Sequence, residues 1–153
     1  MSRIQRVYVD TSVYGGYFDK EFAEWTEKFF EEVDEGKFLI LYSDLLDTEL
    51  KPAPMWVKDF AKNYLENAET ILITKEVVHL GRQYILNNVV GETSWYDCVH
   101  IATASIAKAD LLVSWNFKHI VNSNRIEGYN SVNRKLGYSE LNIRTPREVL
   151  HYE

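Results

Sequence analysis

Cysteine is nearly missing from this sequence: one thiol, Cys98, stands among 153 residues. That excludes an internal disulfide framework and any zinc site built from clustered cysteines, and it fits a reducing, cytoplasmic setting. Cys98 itself reads as a small buried apolar residue. Long apolar runs are missing too. No stretch would cross a bilayer. Residues 1–18 carry Arg3 and Arg6 with no continuous apolar segment behind them, because Asp10 interrupts the candidate, so neither a secretory leader nor a membrane partner is expected. Positive charge is scarce: 17 Lys and Arg face 23 Asp and Glu, a net charge of −6. Such a molecule as a whole repels a polyanion, which counts against a simple nucleic-acid-binding module. There is no glycine-rich phosphate cradle, repeat, low-complexity tract or linker. One domain spanning 1–153 is the expectation.

The acidity is uneven. Residues 19–35 hold Asp19, Glu21, Glu24, Glu27, Glu31, Glu32, Asp34 and Glu35 against Lys20 and Lys28, while the segment 118–147 is mildly basic. Most of the negative charge fits one solvated helix face. A hydrophobic content of 46% with 26% charged residues is that of an ordinary globular chain with a sizeable core.

Residues 4–9, with Ile4, Val7, Tyr8 and Val9, read as a short buried strand ending at Asp10, followed by a turn over Thr11, Ser12, Gly15 and Gly16. Phe22, Trp25, Phe29 and Val33 recur at helical steps and predict an amphipathic helix that stops near Gly36. Residues 38–42 form a second interior strand. Ser43 is positioned to cap a short helix through Leu50, and Pro54 opens another. Strands are expected over 71–73, 111–114 and 142–144, and helices over 75–87, 92–108 and 122–136. Thr145-Pro146-Arg147-Glu148 has the pattern of a capping box. Apolar strands alternating with helices imply an α/β protein with a mainly parallel sheet of about five strands, covered on both faces as a three-layer α/β/α sandwich. Functional groups in such sheets gather at the carboxyl ends of the strands.

Asp10 follows a buried strand, with the hydroxyls of Thr11 and Ser12 beside it. Alone it would be an Asx-turn or cap residue. Glu49 lies near the end of the run Ser-Asp-Leu-Leu-Asp-Thr-Glu-Leu beside the apolar face, whereas its rivals Asp44 and Asp47 should face water. Asp97 opens a helix rich in small residues, where unpaired backbone amides also favour an acid. Asn116 follows the strand Leu-Leu-Val-Ser and Trp115; its amide oxygen can ligate a hard cation but adds no charge.

Val-Asp-Thr-Ser, a glutamate after a Ser-led short helix, Asp-Cys-Val-His-Ile-Ala-Thr-Ala and Ala-Asp-Leu-Leu-Val-Ser-Trp-Asn occur in that order across nearly the whole chain. Together they resemble the PIN-domain family, which includes the VapC-like toxins of toxin–antitoxin pairs. The Trp-Asn-Phe-Lys-His-Ile run is similar to a subgroup with asparagine in place of the usual fourth aspartate. The resemblance implies a three-layer domain whose acids bind Mg²⁺ or Mn²⁺ and hydrolyse RNA phosphodiesters. It makes Asp10 and Asp97 the principal ligands, Glu49 a ligand or the orienter of the attacking water, and Asn116 a weak or water-mediated ligand. It also implies an antitoxin protein partner and a homodimer. Thr11, Ser12 and Ser114 are candidates to hydrogen-bond the liganding acids. His100, one helical turn after Asp97, could act as acid, base or ligand, but is assigned a packing or hydrogen-bonding role because hard cations prefer oxygen. Lys118 and His119 could touch a phosphate, although a solvated loop charge is the preferred account of them. Tyr14, Tyr17 and Phe18 could stack on bases, form a dimer surface, cover an antitoxin groove or simply fill the core. A PIN-like scaffold that cuts nothing and a different metal phosphohydrolase on a similar sheet are the competing readings.

Overall fold

The structure, a computed structural model, describes residues 3–150. Its five parallel strands are β1 (Gln5–Val9), β2 (Phe38–Tyr42), β3 (Glu69–Thr70), β4 (Leu111–Val113) and β5 (Ile143–Arg144), arranged in the order β3-β2-β1-β4-β5. Eight helices connect and cover them: α1 (Thr11–Gly16), α2 (Ala23–Asp34), α3 (Asp44–Leu50), α4 (Met55–Leu65), α5 (Lys75–Leu86), α6 (Trp95–Ile106), α7 (Ser123–Leu136) and α8 (Pro146–Leu150). A single 3-10 turn, Glu92–Ser94, leads into α6.

Alternation along each strand divides the core in two. Val7, Val9, Phe38, Ile40, Leu111 and Val113 pack on one face with side chains of α1, α2, α3, α4 and α8. Tyr8, Leu41 and Leu112 point to the other face and pack with α5, α6 and α7. Burial on both faces explains why the strands read as nearly continuous apolar runs. α6 lies closely on its neighbours because Cys98, Ala102 and Ala104 are small and fully buried. Burial pushes the Cys98 thiol up to about 12, which keeps it a neutral apolar group.

Three local expectations need correction. Residues 11–16 form a helix and not a turn, because Gly16 serves packing: a Cβ there would stand 2.8 Å from Trp115 Cδ1 and 3.2 Å from Thr26 Oγ1. The strand expected over 71–73 sits earlier, at Glu69–Thr70. Its partner β2 ends at Tyr42, so after Ile71 N–H donates to Tyr42 O (2.8 Å) no neighbouring backbone continues, and Leu72 is exposed. The helix expected over 92–108 opens as the 3-10 turn before α6. By contrast, the capping box before α8 forms as expected. Thr145 N–H donates to Glu148 Oε1 (2.9 Å) and Glu148 N–H to Thr145 Oγ1 (3.1 Å).

The acidic segment behaves largely as a solvated face, with Glu24, Glu27 and Glu31 exposed. Glu32 departs from this: it is buried and pairs with Lys37 at 2.9 Å. Among the described residues, no helix is long and apolar enough to cross a membrane.

Candidate metal centre

Strand order places β2 on one side of β1 and β4 on the other. The chain thus leaves the sheet in opposite directions from β1 and β4, and a crevice opens at their carboxyl ends. Asp10 and Ser114 are the residues that follow these two strands. The register Val9↔Val113 sets them side by side, and Asp10 N–H continues the ladder to Val113 O at 3.0 Å.

Asp10 occupies the N-cap position of α1, yet its carboxylate makes no capping hydrogen bond. Its Oδ2 accepts instead from Ser12 Oγ (2.6 Å) and Ser114 Oγ (2.8 Å). Those two hydroxyls brace the loop as well: Ser12 Oγ accepts from Trp115 N–H (2.9 Å) and Ser114 Oγ from Asn116 N–H (2.9 Å). The carboxylate is 5% exposed, and its other oxygen, Oδ1, lies 3.9 Å from His100 Nε2. The turn-or-cap explanation of Asp10 therefore accounts for its backbone and not for its side chain.

Glu49 reaches the same crevice from α3. Its Oε1 accepts from Thr11 Oγ1 (2.7 Å) and lies 2.5 Å from His100 Nε2. Asp44 and Asp47 are exposed, as the position of Glu49 beside the apolar face predicts. Ser43 heads α3 but does not cap it. Its hydroxyl lies 2.9 Å from the Tyr8 hydroxyl, which in turn sits 2.6 Å from His100 Nδ1. The imidazole is thus fully buried and gripped at both nitrogens. Ligand atoms of Asp10, Glu49 and His100 lie within 4.8 Å of one another, a group that could hold a metal ion.

Asp97 stands beside this group in the first turn of α6, one turn before His100. Asn116 Nδ2 donates to its Oδ1 at 3.4 Å, and Asn116 Oδ1 accepts from His119 N–H at 3.0 Å. The asparagine therefore meets Asp97 through its nitrogen, while its oxygen closes the following turn.

Electrostatics tie the four acids and bases together. Burial pushes the Asp97 carboxyl up, the Asp10 charge adds to this, and the result is about 6 despite the opposing His100. Burial also acts to raise Glu49, but its bonds to His100 and Thr11 outweigh this and hold it below the ordinary carboxylate range. For His100, burial works against the charged form. The Glu49 bond and the charges of Asp10, Glu49 and Asp97 prevail and raise it. Among the described residues, no lysine or arginine pairs with Asp10, Glu49 or Asp97. Carboxylate oxygens that no lysine or arginine pairs with suit a hard divalent cation, and the unprotonated form of His100 would add a softer nitrogen to the set.

Of the residues expected at the site, the structure links Asp10 with Ser12 and Ser114 and Glu49 with Thr11, and sets Asp97 against Asn116; the group close enough to share an ion is Asp10, Glu49 and His100, without Asp97 or Asn116. Tyr8 and Ser43, which support His100, carried no signal: one is an alternating strand residue, the other a plain cap. His119 lies in the Asn116 turn with its pKa lowered, first by burial and then by Lys118 and Arg125. Of the three aromatics after Asp10, Tyr14 is core, Tyr17 stacks on Phe60 at 4.1 Å between centroids, and Phe18 is exposed.

No family model and no curated protein matches the sequence. Among solved structures, the chain is similar to one in the crystal structure of VapBC2 from Rickettsia felis bound to a DNA fragment from their promoter. The TM-score is 0.58 over 92% of this chain and 98% of that one, at 13% sequence identity. A likeness at that identity concerns the fold, which is PIN-like: an all-parallel sheet in the order β3-β2-β1-β4-β5 with helices on both faces.

Proposed function

We propose that this chain is a divalent-metal-dependent endoribonuclease that hydrolyses RNA phosphodiesters, and that it is the toxin of a toxin–antitoxin pair. The observation that carries the reading is the convergence of Asp10, Glu49 and His100, with Asp97 near enough to feel the charges of all three, in a crevice where no lysine or arginine among the described residues pairs with the acids. In this reading Asp10 and Asp97 are the principal ligands of Mg²⁺ or Mn²⁺, Glu49 is a ligand or orients the attacking water, and Asn116 is a weak or water-mediated ligand. The bound ion would lower the pKa of water and neutralise charge developing on the phosphate.

The protein's own groups supply the positioning. Ser12 and Ser114 hold one oxygen of Asp10 and leave Oδ1 toward the cluster. Thr11 and His100 hold Glu49, and Asn116 holds Asp97. His100 Nε2 faces Glu49 and Asp10, and these acids favour its charged form, which offsets their mutual repulsion. The fold likeness to VapBC2 supports the toxin role; an antitoxin protein as partner, a homodimer and a cytoplasmic location belong to the same proposal.

The test is incubation of the protein with labelled single-stranded RNA in Mg²⁺ or Mn²⁺, with and without excess chelator, beside Asp10→Asn and Asp97→Asn. Cleavage that requires the metal and disappears in both variants is the expected result; cleavage that survives both substitutions excludes this site. A second reading, a PIN-like scaffold that cuts nothing, is favoured by one observation: an amide, Asn116, meets Asp97 where a fourth acid would add charge. Absence of both cleavage and calorimetric metal binding would select it.

A further inference from the structure

On the β2 side of the crevice, a groove of about 460 Å³ runs between α3 and α4. Its floor is apolar, formed by Leu50, Ala61 and Leu65 with Tyr42 from the end of β2, and Lys51, Lys58 and Lys62 stand along it. In a chain of net charge −6 this is an unexpected concentration of cations. Several cations elsewhere are neutralised locally, as in Arg3 with Asp110, Arg6 with Glu69, Lys37 with Glu32 and Arg134 with Glu127 and Glu140, whereas the three groove lysines stand together on one surface. Lys51, Lys58 and Lys62 have no ion pair among the described residues. Asp47 and Glu66 also line the groove but do not pair with them. Lys58 and Lys62 are moreover four apart on one helix face, an arrangement of like charges that disfavours the helix on its own. A polyanion in the groove would relieve it.

The groove also adjoins the crevice. α3 carries Glu49 toward His100 and Thr11, while the next two residues, Leu50 and Lys51, line the groove. The two features are therefore separated by about one helix diameter, ~10 Å. We infer that this lysine groove binds the sugar-phosphate backbone of single-stranded RNA and leads the strand to the acidic crevice. The lysines take the phosphates, and the apolar floor accepts an unpaired base face. The inference rests on the proposed nuclease reading for its direction, but it makes a separate claim about binding.

The experiment is fluorescence anisotropy of a labelled single-stranded oligoribonucleotide with the full chain, in chelator so that binding is read apart from cleavage, across a salt series. Lys51→Gln, Lys58→Gln, Lys62→Gln and the triple variant are compared with Lys135→Gln on the exposed end of α7, with thermal melts to confirm folding. The triple variant should weaken binding at least tenfold at low salt and reduce the slope of log affinity against log salt by about 2, since each single-strand phosphate contact contributes ~0.7. Lys135→Gln should change neither. An unaltered slope in the triple variant, or no binding by the wild type at low salt, overturns the inference. So does loss of binding to a poly-glutamate peptide with RNA binding intact, which would make the groove a protein-docking site. A cleavage assay of the wild type in metal separates the two claims: RNA binding that depends on the lysines without any cleavage would keep the groove and dismiss the nuclease.

Discussion

His100 Nε2 lies 2.5 Å from Glu49 Oε1, and this contact makes an acidic crevice compatible with a folded protein when no cation is bound. Glu49 is held low and His100 high, although burial opposes the charged form of each. The acids favour the charged form of the imidazole, which in turn offsets the repulsion among Asp10, Glu49 and Asp97.

The first prediction concerns pH. His100 has a raised folded-state pKa, so its contribution to stability is complete below the unfolded value of about 6.5 and is lost as pH rises through the folded one. Asp97 acts in the same direction. A carboxyl raised to about 6 binds its proton more tightly when folded, so stability falls as pH climbs from the ordinary aspartate value of 3.8 through about 6. In chelator, urea midpoints should therefore be higher near pH 5.5 than near pH 8.5. A midpoint that rises across that interval would contradict both assignments.

The second concerns Asp97→Asn. Asparagine keeps an oxygen for Asn116 and removes the charge that burial and Asp10 oppose. The pKa displacement corresponds to about 3 kcal/mol at most; discounted for solvent at this half-buried position, the gain is about 1–2 kcal/mol at pH 7 without metal. Denaturant titration measures it directly. A destabilised variant would show that the charge of Asp97 is better compensated than its surroundings indicate.

A third prediction separates support from ligation. Ser114→Ala leaves Asp10 with one hydroxyl partner and Asn116 N–H with none. In this fully buried position the loss should cost about 1–3 kcal/mol in the metal-free protein. Divalent-ion affinity should fall about 10–100-fold, the range typical of groups that orient a ligand. Thermal melts and calorimetry read the two effects independently, and an unchanged metal affinity would remove Ser114 from the site.

How much of this was legible beforehand follows the range of the forces involved. β1, β2, β4, α7 and the capping box before α8 depend on local periodicity and local hydrogen bonds, which a sequence displays. α1 was concealed because Gly16, a turn signal locally, is required by the distant ring of Trp115. β3 was displaced because its length is set by where β2 ends. Asp10, Glu49 and Asp97 stood out by their order, and His100 was read as a packing or hydrogen-bonding residue; it does hydrogen-bond, but with partners the sequence does not name. Its contacts to Tyr8, 92 residues earlier, and to Glu49, 51 residues earlier, have no periodicity to announce them.

The fourth prediction tests the departure at Asn116. In Asn116→Asp a carboxylate replaces the amide that donates to Asp97, so the metal-free protein loses a hydrogen bond and gains a like charge beside an already raised acid. It should be destabilised at pH 7, by about 1–3 kcal/mol, and should recover as pH falls and one of the pair is protonated. A divalent ion reverses the balance, because it is attracted to the extra charge. Mg²⁺ or Mn²⁺ should therefore raise the melting temperature of Asn116→Asp more than that of the wild type, and RNA cleavage should increase. At an ion concentration of a hundred times Kd the stabilisation is ~2.7 kcal/mol, so a tighter site shows a clear shift at concentrations where the wild type shows little. Equal shifts in the two proteins would mean that position 116 does not face the ion, and that Asn116 serves the turn to His119 alone.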